Sequence, residues 1–197
     1  MASDDTDPTR RRFLTGATAV VGGAGVLAGA APFVSSMTVS ARAQAAGAPV
    51  EADIGKLEPG QMVTYEWRGK PVWVVRRTER MLGTLAELEP VLADPDSSAS
   101  DQPPYCENPQ RAREDRSDVL VMVGVCTHLG CSPTYFPQAG GQLGADWLGG
   151  FFCPCHGSKY DIAGRVYAGQ PAPKNMPIPP HMYLSENRLL IGDDKRG

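Results

Sequence analysis

The sequence predicts an all-β domain with loops set between its strands, carried behind one N-terminal transmembrane helix. Three observations lead there. Glycine (22) and proline (18) make about a fifth of the 197 residues, a composition that favours short strands and frequent turns. "MVTYEW" (62–67), "PVWVVRR" (71–77), "VLVMVGV" (119–125) and "RLLIG" (188–192) carry the β-branched and aromatic residues of strands. From Phe13 to Ala41 no residue is charged, and at about 1.5 Å per residue such a run crosses a bilayer. Bulk composition adds an exclusion. With 42% hydrophobic and 21% charged residues the chain is ordinary for a globular protein, and its net charge of −3 gives no basic footprint for nucleic acid.

The elements follow in order. Residues 1–9 are polar and read as disordered, within a cytoplasmic N-terminus of residues 1–12. Arg10 and Arg11, followed by Arg12, Phe13 and Leu14, resemble a twin-arginine export signal. That route carries folded proteins, which suits a cofactor inserted in the cytoplasm. The membrane helix is expected over 13–37, with Pro32 kinking or ending it. A buried segment of a soluble protein is the competing reading, and three arginines before so long an uncharged run disfavour it. "ARAQA" (Ala41–Ala45) offers the small residues of a cleavage site. Against cleavage, the run exceeds a signal core of about 7–15 residues, and Gly25 and Gly29 form a small-residue face for helix packing. We read a retained anchor in the bacterial inner membrane, single-pass, with everything after it in the periplasm. Residues 38–50 are small and unpatterned, a flexible hinge, and 51–197 form the exported domain.

Within that domain "RGK" (68–70) reads as a hairpin turn. "TERMLGTLAELEP" (78–90) holds a short helix that stops before Pro90. Residues 94–118 read as a long polar loop, and 119–125 as a strand running into the first cysteine motif. The glycines of 132–151 invite a phosphate-loop reading, but no Gly-x-Gly-x-x-Gly precedes a helix and no Lys-Ser/Thr follows. That stretch reads as a structural loop. Residues 188–192 close the domain.

The chemistry concentrates in "CTHLGC" (126–131) and "CPCHGSKY" (153–160). Each gives one thiolate and one imidazole, Cys126 with His128 and Cys153 with His156. The four suit a tetrahedral zinc site, although the single residue between Cys126 and His128 is shorter than usual zinc spacing. They equally suit a two-iron, two-sulfur cluster with two cysteines on one iron and two histidines on the other. Cys131 and Cys155 are left, one per motif. Outside the cytoplasm paired thiols tend to be oxidised, and a Cys131–Cys155 bridge would staple the two loops together.

"CTHLGC" and "CPCHGSKYD" resemble the two cluster-binding boxes of Rieske iron–sulfur proteins. "GKPVWVVRRT" (69–78), "GQPAP" (169–173) and the tail "NMPIPPHMYLSENRLLIG" extend the likeness to nearly the whole chain. The extra cysteine pair places it near the quinol-oxidising branch, and taken with the N-terminal anchor the chain resembles the Rieske subunit of the bacterial cytochrome bc₁ complex. The resemblance implies an antiparallel β-sandwich base with an inserted small β cluster-binding subdomain at about 125–173. It implies one [2Fe-2S] cluster, with Cys126 and Cys153 on the buried iron and His128 and His156 on the outer one. It implies that Ser158 and Tyr160 tune the cluster by hydrogen bonds, and that Gly169, Pro171 and Pro173 belong to the loop covering it. Gln170 is one residue more than the family's Gly-Pro-Ala-Pro form. His156, and His128 beside it, would accept a hydrogen bond and proton from ubiquinol, and Leu129 would pack on the quinone pocket. Cytochrome b and cytochrome c₁ are the implied partners, in a dimeric complex, with ubiquinol bound at the cytochrome b site. Other readings are a small Rieske subunit of another exported oxidase, such as arsenite oxidase, and a zinc-stabilised periplasmic binding module. His181 reads as a surface or packing residue. Cys106 is an odd thiol, free or paired with another subunit.

Overall fold

The computed structural model describes residues 7–40 and 47–195. The stretch Ala41–Ala45 and the middle of the expected hinge lie outside the described residues. The chain divides into two units, Met1–Ala45 and Ala46–Gly197. In the first, helix α1 runs Pro8–Ser36. It starts earlier than expected, because Asp7 caps it by accepting from Thr9 N at 2.9 Å and Pro8 suits the first turn. The arginines 10–12 are therefore helical. Nor does Pro32 end the helix. Beyond it Ser35 Oγ donates to Pro32 O at 2.9 Å and Ser36 Oγ to Phe33 O at 2.7 Å, supporting the last turn. The helix is long and apolar enough to cross a membrane.

The second unit holds three three-stranded antiparallel sheets. β1 (Val50–Asp53), β8 (His181–Ser185) and β9 (Arg188–Ile191) form one, in the order β1-β9-β8. β2 (Met62–Trp67), β3 (Lys70–Arg76) and β4 (Val119–Val123) form the second. β5 (Thr134–Phe136), β6 (Gly150–Phe152) and β7 (Lys159–Asp161) form the third. Helix α2 (Glu79–Leu88) follows β3, capped by Thr78 Oγ1 accepting from Met81 N, and ends before Pro90 as the sequence predicts.

In the middle sheet β3 and β4 are buried on both faces, which explains the unbroken apolar run of β4. Alternate residues point to opposite sides of a strand. Val72, Val74, Val119 and Val121 therefore pack with Ala52, Ile54, Leu189 and Ile191 of the first sheet. Trp73, Val75, Leu120 and Met122 face the other way, toward Phe151, Tyr160, Ile162 and Met176. Trp73 stacks on Phe151 at 5.3 Å between ring centroids, and Phe151 on Tyr135 at 5.2 Å. That stack ties the third sheet to the sandwich. Gly124, leaving β4, is required by it, since a Cβ there would lie 2.2 Å from the Trp73 ring.

One expectation for the second unit needs correction, and two are sharpened. Residues 132–151 are not loop throughout, because β5 and the start of β6 lie there. The 94–118 segment is the long polar loop expected, but it does not lie wholly at the surface: Cys106 and Arg111 are fully buried. Arg111 Nη1 donates to Ala163 O and Gly164 O at 3.2 and 3.3 Å, so main-chain acceptors more than fifty residues away draw the segment in. Of the two readings left open for Cys106, free or paired with another subunit, the structure shows the free thiol, buried in the core. Burial raises its thiol to a pKa of about 11.

Candidate metal centre

The two motifs sit on loops that end β4 and join β6 to β7. Both loops close with the same pair of main-chain bonds. In the first, Cys126 N donates to Cys131 O at 2.7 Å and Gly130 N to Cys126 O at 3.1 Å. In the second, Cys153 N donates to Ser158 O at 2.8 Å and Gly157 N to Cys153 O at 2.9 Å. Gly130 and Gly157 have φ of +84° and +80°, a conformation that suits glycine. A Cys131–Cys155 disulfide joins the loops. The sulfurs of Cys131, Cys153 and Cys155 lie within 4.8 Å of one another. Two of them are spent in the disulfide, so this is no three-thiolate site; it records how closely the bridge abuts Cys153.

The remaining ligand candidates divide by depth. Cys126 and Cys153 are unpaired thiols, each 2% exposed. His128 is half-buried and His156 exposed. Their rings lie edge to face with centroids 4.6 Å apart. His128 Nδ1 is a buried nitrogen without a hydrogen-bond partner, an arrangement that costs free energy unless a ligand completes it. Leu129 stands 72% exposed at the tip.

One hydroxyl reaches a thiol directly. Tyr160, fully buried on β7, brings its OH to 3.2 Å from Cys126 Sγ. Thr127 N donates to that oxygen at 3.2 Å. Thr127 Oγ1 also lies 3.2 Å from it and gives its own proton to Lys174 O at 2.7 Å. The Tyr160 proton is left for the sulfur or for Thr127 Oγ1, and a thiolate is the stronger acceptor. Ser158 Oγ is fully buried and accepts from Ala172 N at 3.1 Å, keeping its own proton to donate. Gly169, Pro171 and Pro173 are exposed on the loop that lies across the hairpin. Behind Tyr160, Asp161 and Arg165 form a fully buried ion pair at 2.7 Å. Arg165 also donates to Leu85 O and Pro95 O at 2.7 and 2.8 Å, fixing β7 to α2 and the 94–118 segment. Neither Arg165 nor Thr127 stands out in the sequence, because their partners come from other loops.

A profile described as "Rieske [2Fe-2S] domain" matches residues 108–180. The ubiquinol-cytochrome c reductase iron-sulfur subunit of Allochromatium vinosum is 54% identical over 196 residues, covering 99% of this chain and 94% of that one. The chain belongs to the Rieske iron–sulfur subunits of ubiquinol–cytochrome c reductase. Relatives with the same description in Blastochloris viridis and Bradyrhizobium diazoefficiens are 43% and 40% identical, and each is covered over 98% of its length. Residues 1–40 match the profile "Ubiquitinol-cytochrome C reductase Fe-S subunit TAT signal". Together with the apolar helix α1, this marks an exported, membrane-anchored Rieske subunit.

Membership makes the chain an electron-transfer subunit of an oxidoreductase complex and its cofactor a [2Fe-2S] cluster. The residues present fit that group. Two unpaired thiols lie inward, two imidazoles lie outward, and one buried imidazole nitrogen lacks a partner. Two thiols and two imidazoles are the donor set of a Rieske centre.

Proposed function

We propose that Cys126 and Cys153 hold the inner iron of the cluster and His128 and His156 the outer one, and that this tip accepts an electron and a proton from ubiquinol. The observation that carries the assignment is the unpartnered Nδ1 of His128, set 4.6 Å ring to ring from His156 on the disulfide-joined loops. When bound, the cluster supplies a one-electron acceptor of raised potential, because neutral imidazoles replace anionic thiolates. Nδ1 of His128 would bind the metal, which would leave Nε2 of that ring to accept the hydrogen bond and proton of a quinol. His156, the more exposed, is the principal acceptor, with His128 beside it. Leu129 gives the apolar contact that seats the tip on the quinone pocket. Tyr160, whose OH lies 3.2 Å from Cys126 Sγ, and Ser158 would give hydrogen bonds to sulfur and so favour the more negative, reduced state.

The partners on this reading are cytochrome b, which holds the ubiquinol, and cytochrome c₁, which takes the electron, in a dimeric complex. The name the relatives carry, ubiquinol-cytochrome c reductase iron-sulfur subunit, supports this. Helix α1 anchors the chain in the bacterial inner membrane with its arginines inside, and the head works in the periplasm. Leu129→Ala tests the seating. Quinol oxidation in membranes should drop about tenfold, the equivalent of 1.4 kcal/mol of lost contact, with the midpoint potential unchanged. Full activity in that variant would remove Leu129 from the interface.

A further inference from the structure

We infer that Gln170, the residue by which this loop exceeds the Gly-Pro-Ala-Pro form, is a positioning residue that aims the Ser158 hydroxyl at the cluster. β7 is the edge of the third sheet, and its outer side is met by residues 165–167. Tyr167 N donates to Lys159 O at 3.1 Å. A regular antiparallel pair would return the bond from Lys159 N to Tyr167 O. Lys159 N donates instead to the Gln170 side chain, Oε1 at 3.2 Å. The side chain thus occupies a ladder position and fixes where the loop leaves the strand.

Two residues on, the same loop makes the contact that matters. Between Pro171 and Pro173, which lack N–H groups, Ala172 carries the only main-chain donor. It donates to Ser158 Oγ at 3.1 Å, and Ser158 and Ala172 are 0% and 3% exposed. Water therefore has little access to either partner. The prolines stiffen the segment, so Gln170 bound to Lys159 sets the reach of Ala172 to the neighbouring residue, Ser158. With one lone pair of Oγ held by Ala172 N–H, the hydroxyl proton turns away from the loop and toward the cluster side. Thr127 Oγ1, donating to Lys174 O at 2.7 Å, closes the loop's far end. Gln170 is half-buried and uncharged, so it adds no charge to the cluster's field.

Gln170's role presupposes the reading of Ser158 as a hydroxyl that tunes the potential, and the test keeps the two apart. Redox titrations of the full chain follow Ser158→Ala, Gln170→Met and the double variant, with cluster content measured by electron paramagnetic resonance. Methionine keeps the length and neutrality of glutamine and lacks the acceptor. The expected result is a downward shift for Gln170→Met, smaller than that of Ser158→Ala, and no further shift in the double variant. Gln170→Asn, an amide one methylene short, should fall between wild type and Gln170→Met, and supplies the comparison should Gln170→Met fail to assemble. If Ser158→Ala shifts the potential and the cluster-loaded Gln170 variants do not, or if the shifts add in the double variant, Gln170 does not act through Ser158. If Ser158→Ala itself leaves the potential in place, the tuning role of Ser158 falls, and the role of Gln170 falls with it.

Discussion

Single side chains divide into those that offer ligands and those that hold them. Six soft residues lie in the two motifs; two of them form the disulfide, and on our reading the other four are the ligands. On the same reading Tyr160 and Ser158 form a third group that tunes the cluster. Tyr160→Phe should keep the cluster and lower its midpoint by tens of millivolts, since 1.4 kcal/mol corresponds to about 59 mV for one electron. Redox titration reads this directly, and an unchanged midpoint would remove Tyr160 from the tuning set. Cys131→Ser should cost about 3 kcal/mol, the loop-entropy value for a closure of 24 residues. An unfolding curve matching wild type would show that the metal alone holds the loops. The ligand candidates and the disulfide pair were legible in the sequence because their spacing is compact and particular. Thr127, Gln170 and Arg165 were not, since each acts through a main-chain group that only the folded loops bring near.

Among the elements, β4 and the 94–118 segment show where sequence patterns succeed and fail. Five consecutive apolar residues in β4 announce a strand buried on both faces, and the middle sheet provides both. The 94–118 segment is polar and rich in arginine, which reads as solvent-facing, yet it is packed in through carbonyl groups of residues 163 and 164. The short strands β5–β7 also escaped notice, because three residues give no periodicity to read. His181, on β8, is 1% exposed and donates Nδ1–H to Pro179 O at 2.9 Å. The sequence left open whether it was a surface or a packing residue, and it proves to pack. Burial lowers its pKa to about 4, with the Pro179 bond opposing and Arg113 adding to the fall. The unfolded chain, near 6.5, binds the proton first as pH drops. Stability should therefore fall between about pH 6.5 and 4, by about 3 kcal/mol at most, and His181→Gln should flatten that slope. Urea unfolding of both proteins across this range checks it, and parallel slopes would contradict it. Breaking the Asp161–Arg165 pair behind Tyr160 should be harsher. Arg165→Met should cost about 3–5 kcal/mol, because it leaves a buried carboxylate uncompensated. A denaturation midpoint within error of wild type would show that the carboxylate finds another partner.

At the scale of the molecule, the head carries the metal site and α1 ties it to a membrane. The transmembrane run and the β class were legible from composition. The helix ends were not, since Asp7 and the two serines past Pro32 set them by local capping. On our reading the 38–50 segment lets the head move between electron donor and acceptor. Stiffening it with prolines should slow turnover several-fold and leave the cluster's spectrum unchanged, and undiminished turnover would count against a moving head. The central claim is narrower: one [2Fe-2S] cluster held by two thiolates and by the imidazoles of His128 and His156. The most direct test is electron–nuclear double resonance on the reduced full chain, with histidine labelled with nitrogen-15. Two coupled imidazole nitrogens are the predicted result. A silent sample, or a signal without histidine coupling, would contradict the assignment.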